Sequence, residues 1–360
     1  MSARWTGLVE KALPPALALA IALLVGNLLI IVNGEQPLRV WSLLVAGTWG
    51  SGYGMGQVLF KAAPLALAGY SVGLAFRAGL FNVGGEGQIQ SSALACAVVG
   101  AALPAWLPWP LAVLVCTLAA VCCGACVGAV PGWLRARFGA HEVITTIMLN
   151  FVVLAVIGYL VAEHLALPET LHTREIAPGA TLGRLADTVG ALRGSAASWG
   201  LLVVPFAGFA YWWFLERTTW GLEHRTVGLS PGVAEANGVN VARVRVLAMT
   251  LAGGFAALSA VPTVLGYKHF YEQGFGAGVG FMGIAVALLG QGNPWGIAAA
   301  ALLFGTLSQG GLAINALVPK DLIDVLQAAV ILVVVAASRE VQAVLRRGVA
   351  AARASTKEQA

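Results

Sequence analysis

Residues 14–32 form a run without a single charged side chain, and long apolar runs recur along the chain. A helix needs about 20 predominantly apolar residues to cross the roughly 30 Å hydrocarbon core of a bilayer. The runs therefore restrict the chain to membrane helices. Transmembrane β-barrel strands alternate apolar with polar residues and contain no such runs, which excludes a barrel. Composition excludes a soluble fold. Of the 360 residues 59% are apolar and 10% charged, against about 25% charged in ordinary soluble domains. The net charge of +5 is read as an orientation signal beside membrane spans and not as a nucleic-acid footprint.

Reading the apolar runs between polar or proline-containing breaks gives one transmembrane domain over residues 1–338, with about ten helices and broken or re-entrant segments. The spans are expected near 14–32, 62–76, 87–103, 111–130, 143–162, 200–215, 246–266, 278–290, 296–314 and 322–338. Arg4 and Lys11 precede the first run as in a signal peptide, but the run is too long for one, so it reads as an uncleaved span. Residues 40–60 are apolar enough for an eleventh span. Gly50, Gly52, Gly54 and Gly56 alternate through them, and each weakens a helix by about 1 kcal/mol, so this stretch is expected not to cross. Ten spans put both termini, the basic tail 339–360 and the 216–245 loop with Arg217, Arg225, Arg243 and Arg245 on one side. The positive-inside rule makes that side cytoplasm. Residues 162–198 then form an outer surface loop.

Few residues carry chemistry. Cys96, Cys116, Cys122, Cys123 and Cys126 all lie in apolar stretches and read as packing residues, since nothing beside Cys123 and Cys126 completes a metal set. His141, Glu142 and Thr145 start like a zinc-protease motif but lack the second histidine. Gly278, Gly280 and Gly283 match GxGxxG without the strand that a dinucleotide site needs, and suit a helix entry or close helix packing. Gly124, Gly128 and Gly132 are packing positions by the same argument. No catalytic constellation and no Walker motif is present, so neither metal nor cofactor is expected on this chain.

The informative stretch is 75–88, which places Arg77, Asn82, Glu86, Gln88 and four glycines between two apolar spans. Such glycine density breaks the backbone at membrane depth, which is tolerated where it is buried in protein or lines a wet cavity. Phe81, Asn82, Glu86 and Gln88 are candidates for a solute path, with Glu86 expected to hold the broken backbone through Arg77, as a structural pair, or through backbone N–H groups. The bland reading is an interfacial loop whose charges pair at the headgroups. Asn150 and Gln327 lie inside spans, as packing glue or as solute contacts. In the 216–245 loop, Ser230 and Pro231 read as the start of a short helix and Gly238 as its stop.

The stretch from Phe76 to Gln88 resembles the signature of permease subunits of ABC importers for nucleosides and ribose-type sugars. The segments 142–150, 280–290 and 293–296 are similar to further family elements, and Thr226 to Gly228 with 231–238 to the cytoplasmic loop that meets the ATPase. The resemblance implies the ABC importer permease fold in a bacterial cytoplasmic membrane. It also implies a second permease as partner, two ATPase subunits that carry ATP and magnesium, and an extracytoplasmic binding lipoprotein. It adds Gly280 and Phe281 to the path and gives Gly228, Pro231, Ala234, Glu235 and Gly238 the coupling role. No basic cluster awaits a phosphate or carboxylate, and no membrane carboxylate besides Glu86 suits an ion-driven pump. The expected solute is a neutral nucleoside or nucleobase, or else a ribose-type sugar or vitamin. The competing class is a secondary transporter or channel without an ATPase.

Overall fold

The computed structural model describes residues 20–21, 23–319, 324–329 and 332. The basic tail 339–360, most of the expected span 322–338 and the start of the first run lie outside them. The described chain is helical. Its only β pairings are isolated bridges, Ala166 with Thr173, His172 with Glu272 and Arg184 with Ser198. Two compact units are present, one comprising the described residues up to Gly47 and from Leu307 on, the other Thr48–Thr306.

In the first unit α1 (Leu23–Val32) and α2 (Pro37–Thr48) meet at a bend of 114°. Trp41 Nε1 donates to Asn27 Oδ1 at 2.7 Å and fixes the bend from inside.

The second unit begins with α3 (Gly52–Arg77), a 26-residue helix buried over most of its length. Ser51 caps it by accepting from the Gly54 N–H at 3.0 Å. The expected interruption at the alternating glycines does not occur, because the glycines are contact points. A Cβ on Gly52 would sit 1.7 Å from the Ala191 carbonyl oxygen, and one on Gly56 2.3 Å from Ser195 Oγ. Close packing on the Ala191 backbone and on the Ser195 and Ala197 side chains offsets their weak helix propensity. Residues 40–60 are thus divided between the end of α2 and the start of α3, and the span expected at 62–76 starts ten residues earlier.

After a break at residues 78–84 come α4 (Gly85–Ala102), α5 (Trp109–Phe138) and α6 (Glu142–Leu160), the last extended by a π-helical turn at Val161–Leu165. The following loop contains only the single-turn α7 (Leu185–Thr188) and 3-10 turns. Then follow α8 (Val203–Arg217), α9 (Thr219–Leu229), α10 (Pro231–Ala236), α11 (Val241–Ala257) with a π-helical continuation Val261–Lys268, α12 (Val279–Leu289) and α13 (Pro294–Ile314). Six of these helices are long and apolar enough to cross a membrane, or seven if the bent pair α1–α2 counts as one. The segments expected to cross at 87–103 and 278–290 do not qualify. Helix α4 in the first carries Glu86, Gln88, Gln90, Ser91 and Ser92. The second holds only α12. Its 11 helical residues measure about 16 Å, roughly half of a bilayer core.

The centre of this unit is a glycine seam between α5 and α11. A Cβ on Gly124 would lie 2.6 Å from the Gly253 carbonyl, one on Gly128 2.3 Å from the Met249 carbonyl, and one on Gly253 2.0 Å from the Gly124 carbonyl. Such backbone contact is how helices associate where lipid removes the hydrophobic drive. The 166–198 loop is tied to one end of the unit. Trp109 Nε1 donates to the Thr181 carbonyl, and the N–H groups of Ala177, Leu182 and Ile176 donate to the carbonyls of Gly100, Leu265 and His269. Arg77, Arg135, α9 and α10 occupy the opposite end.

Candidate functional site

Helix α3 stops at Arg77, and Gly79 in the left-handed region (φ +72°) turns the chain back. The next residues are polar, buried and mutually bonded. Asn82 has no exposed surface. Its Nδ2 donates to Gln88 Oε1 at 2.9 Å and to Ser71 Oγ at 3.1 Å, while its Oδ1 accepts from the Gly84 N–H at 3.0 Å and from Gln88 Nε2 at 3.2 Å. From α6, Asn150 donates to the Val83 carbonyl and accepts from the Gly87 N–H, both at 2.9 Å. The break is closed by its own Asn82 amide and by amides from α4 and α6, as buried polar groups require.

A second break meets the first. After Lys268 the backbone leaves the helix and passes Gly274, Gly276 and Gly278, all with positive φ, before α12 begins. The N–H groups of Gly278 and Gly280 donate to the two carboxylate oxygens of Glu86, each at 3.0 Å. Glu86 thereby places a carboxylate at the positive end of a half-length helix, where two otherwise unpaired N–H groups and the helix dipole favour it. Residue 280 must be glycine, since a Cβ would lie 2.1 Å from the Glu86 backbone nitrogen. At the other end of α12 the Gly292 carbonyl accepts from Arg77 Nη2 at 3.3 Å and from the Tyr211 hydroxyl at 2.9 Å.

Of the two anchors expected for Glu86, backbone N–H groups hold it and the pairing with Arg77 is not formed. The two charges hold opposite ends of α12. The ion pairs among the described residues are Arg135–Glu142, Arg225–Glu216 and Lys268–Glu272.

Of the residues singled out from sequence, the structure brings Asn82, Glu86, Gln88, Asn150 and Gly280 into one cluster. Phe81 packs edge-on against Phe76 at 4.9 Å, beside the cluster. Phe281 is 47% exposed and stands outside it. Gln327 is buried in the other unit. Sequence reading missed Gln90 and Tyr271. Gln90 donates to the Phe275 carbonyl and accepts from the Tyr271 hydroxyl, each at 3.1 Å, so it anchors the glycine loop that precedes α12. Its spacing of four from Glu86, on one helix face, was the available signal.

At the far end, Ser230 caps α10, Pro231 opens it and Gly238 (φ +82°) ends the turn, as expected. Ala234, expected on the coupling face, points inward and is fully buried against Val227, Val241 and Val244. Pro231, Val233, Glu235 and Gly238 are exposed. Gly228 lies against the break itself, because a Cβ there would come within 2.2 Å of the Arg77 carbonyl. Beside it, His224 is fully buried. Its Nδ1 lies 3.0 Å from the Trp220 carbonyl, its Nε2 has no partner, and burial lowers its pKa.

Two backbone breaks that meet inside an apolar helix bundle, with a carboxylate on a half-helix N-terminus, are the build of a membrane transport protein. The comparisons agree. Residues 54–335 match the family described as the branched-chain amino acid transport system permease component. The guanosine ABC transporter permease protein NupP of Bacillus subtilis is 33% identical over 91% of this chain and 93% of its own. The nucleoside ABC transporter permease protein NupB of Lactococcus lactis is 32% identical over 89% and 90%. The glucose ABC transporter permease protein TsgB13 of Haloferax volcanii is 32% identical over 88% and 85%. No solved structure matches the chain. Broken segments, apolar helices and matched residues converge: the chain is a multi-pass membrane protein of the ABC transporter permease type and belongs to the branched-chain amino acid transport system permease component family.

Proposed function

We propose that this chain is the membrane subunit of an ATP-driven importer and that its solute is a nucleoside. The junction of Glu86 with the start of α12 carries this reading. It is a fixed point inside the bundle where irregular backbone, buried amides and a helix N-terminus converge, which is where a solute path is built. Guanosine and nucleoside in the names of similar permeases favour a nucleoside over a sugar.

In the described conformation Asn82 and Gln88 pair with each other. For a neutral solute to pass, that pair opens, and each amide offers both a donor and an acceptor to ribose hydroxyls or base edges. Phe81, Asn150, Gly280 and Phe281 complete the proposed path. Glu86 holds α12 and binds no cation. Arg77, engaged by Gly292, leaves the path without a free cation for a phosphate.

The basic end with Arg77, Arg135, α9 and α10 faces the cytoplasm. There the exposed edge of α10, with Pro231, Val233, Glu235 and Gly238, seats on the ATPase. Gly228, pressed on Arg77, passes the ATPase movement to the α3–α4 break. The complex contains two ATPase subunits holding ATP and magnesium, a second permease and an extracytoplasmic binding lipoprotein, in a bacterial cytoplasmic membrane.

The test is uptake of labelled guanosine by cells that express the chain with its partner subunits, beside cells whose ATPase subunits carry a substituted Walker lysine. Uptake that disappears with the ATPase defect is expected. Guanosine uptake that persists without a working ATPase would establish the secondary-transporter class.

A further inference from the structure

The segment that leads from α11 to the half-helix α12 carries a cluster the path described above does not use. Tyr267, Lys268, Phe270, Glu272 and Phe275 lie within nine residues and are all half-buried. The Lys268 ammonium stands 5.0 Å from the Phe275 ring centre, 5.6 Å from that of Phe270 and 6.0 Å from that of Tyr267, and it pairs with Glu272. The Tyr267 and Phe275 rings lie 6.3 Å apart and are inclined by only 32°.

One side of Tyr267 rests on buried Phe60, with ring centres 4.8 Å apart. The neighbouring apolar core takes in Tyr271, which is 3% exposed, and leaves out Phe270 and Phe275. Two ring faces inclined by 32°, with a movable ammonium donor over them and its carboxylate partner beside it, are complementary to a flat heterocycle with carbonyl and N–H groups. A free sugar has no such face. Phe275 is also joined to the interior, since its carbonyl accepts from Gln90, and the chain from Gly274 to Gly278 ends on Glu86.

We propose that Tyr267 and Phe275 form a stacking platform for the nucleobase at the mouth of the path, where the solute first leaves its delivery protein, and that the base displaces the Lys268 ammonium from over the rings toward Glu272. This rests on the nucleoside reading and adds the part of the solute that is recognised. Base-on-ring stacking tolerates different bases because every base has a π-face, so the platform selects nucleosides as a class against sugars.

The test is photolabelling of the assembled, detergent-solubilised importer with 8-azidoguanosine, followed by peptide mapping. Label is expected within residues 267–275, competed by guanosine and not by glucose at equal concentration. The pair Tyr267→Leu with Phe275→Leu should lower labelling about tenfold, whereas Tyr267→Phe and Phe275→Tyr, which keep the ring faces, should retain it. Label mapped elsewhere, or undiminished in the leucine pair at matched folded protein, overturns the platform while leaving guanosine transport intact. Absence of both guanosine uptake and labelling in the wild-type importer overturns the nucleoside reading itself, and the platform with it.

Discussion

Asn82 shows how a single residue changes meaning once its partners are known. From sequence it is an amide facing a solute, replaceable without damage to the fold. In the structure all of its polar capacity serves the break, so Asn82→Leu leaves Gly84 N–H, the Gln88 amide and Ser71 short of partners. At about 1–3 kcal/mol for each orphaned buried group, Asn82→Leu should lower stability by about 3 kcal/mol or more. Thermal unfolding in detergent will show the loss, and a wild-type midpoint would contradict it. His224 supplies a pH-dependent case. Burial depresses its pKa below 6.5, so the unfolded chain binds the proton more readily than the folded one. The stability it contributes is fully present above about pH 6.5 and is lost as pH falls through the lowered folded value. Protection factors across α9, which discount the slower intrinsic exchange at lower pH, should therefore fall on acidification in the wild type and stay flat in His224→Leu. Asn82, Glu86, Gln88 and Asn150 were legible in the sequence because polar groups inside apolar spans must find partners. The partners of Glu86 were legible only as a choice between Arg77 and backbone N–H groups, without their positions. They are backbone N–H groups 192 and 194 positions away, and a backbone donor leaves no mark in a sequence except the glycine that lets it approach.

At the scale of elements, hydropathy placed α12 almost where it is, 278–290 against Val279–Leu289, but read as a crossing a segment with only 11 helical residues. The glycines of α3 misled in the opposite direction, because a propensity cost known from the sequence was offset by contacts with a loop more than 130 residues away. The short helix α10 was legible through its cap, its proline and its terminal glycine, yet its faces were not, and Ala234 proved to point inward. This fixes a sharper test of docking. Val233 is 57% and Leu229 87% exposed, so Val233→Arg with Leu229→Arg should leave the permease folded while co-purification of the ATPase falls about tenfold, as for central residues of an interface. Ala234→Arg should unfold the loop instead. Full ATPase recovery with the first pair would remove α10 from the interface.

For the molecule as a whole, the fold class and the family were legible because the bilayer leaves few solutions and the 75–88 stretch is distinctive. Span limits were less so, since half-helices and re-entrant loops share the apolar composition of true spans. Orientation is open to direct measurement. In a background without native cysteines, Glu235→Cys should resist a membrane-impermeant maleimide added outside intact cells, and Arg193→Cys should react. The reverse pattern would invert the proposed topology. The central claim is that the path is organised by the carboxylate of Glu86 on the start of α12. Glu86→Ala deletes two charge-assisted hydrogen bonds of about 1.5–3 kcal/mol each, whereas Glu86→Gln keeps one acceptor and the volume. The decisive measurement is ATP-dependent guanosine uptake by proteoliposomes of the complete importer carrying each variant at equal protein. The account predicts uptake lost in Glu86→Ala and partly retained in Glu86→Gln, with the ATPase still bound in both; wild-type uptake by Glu86→Ala would contradict it.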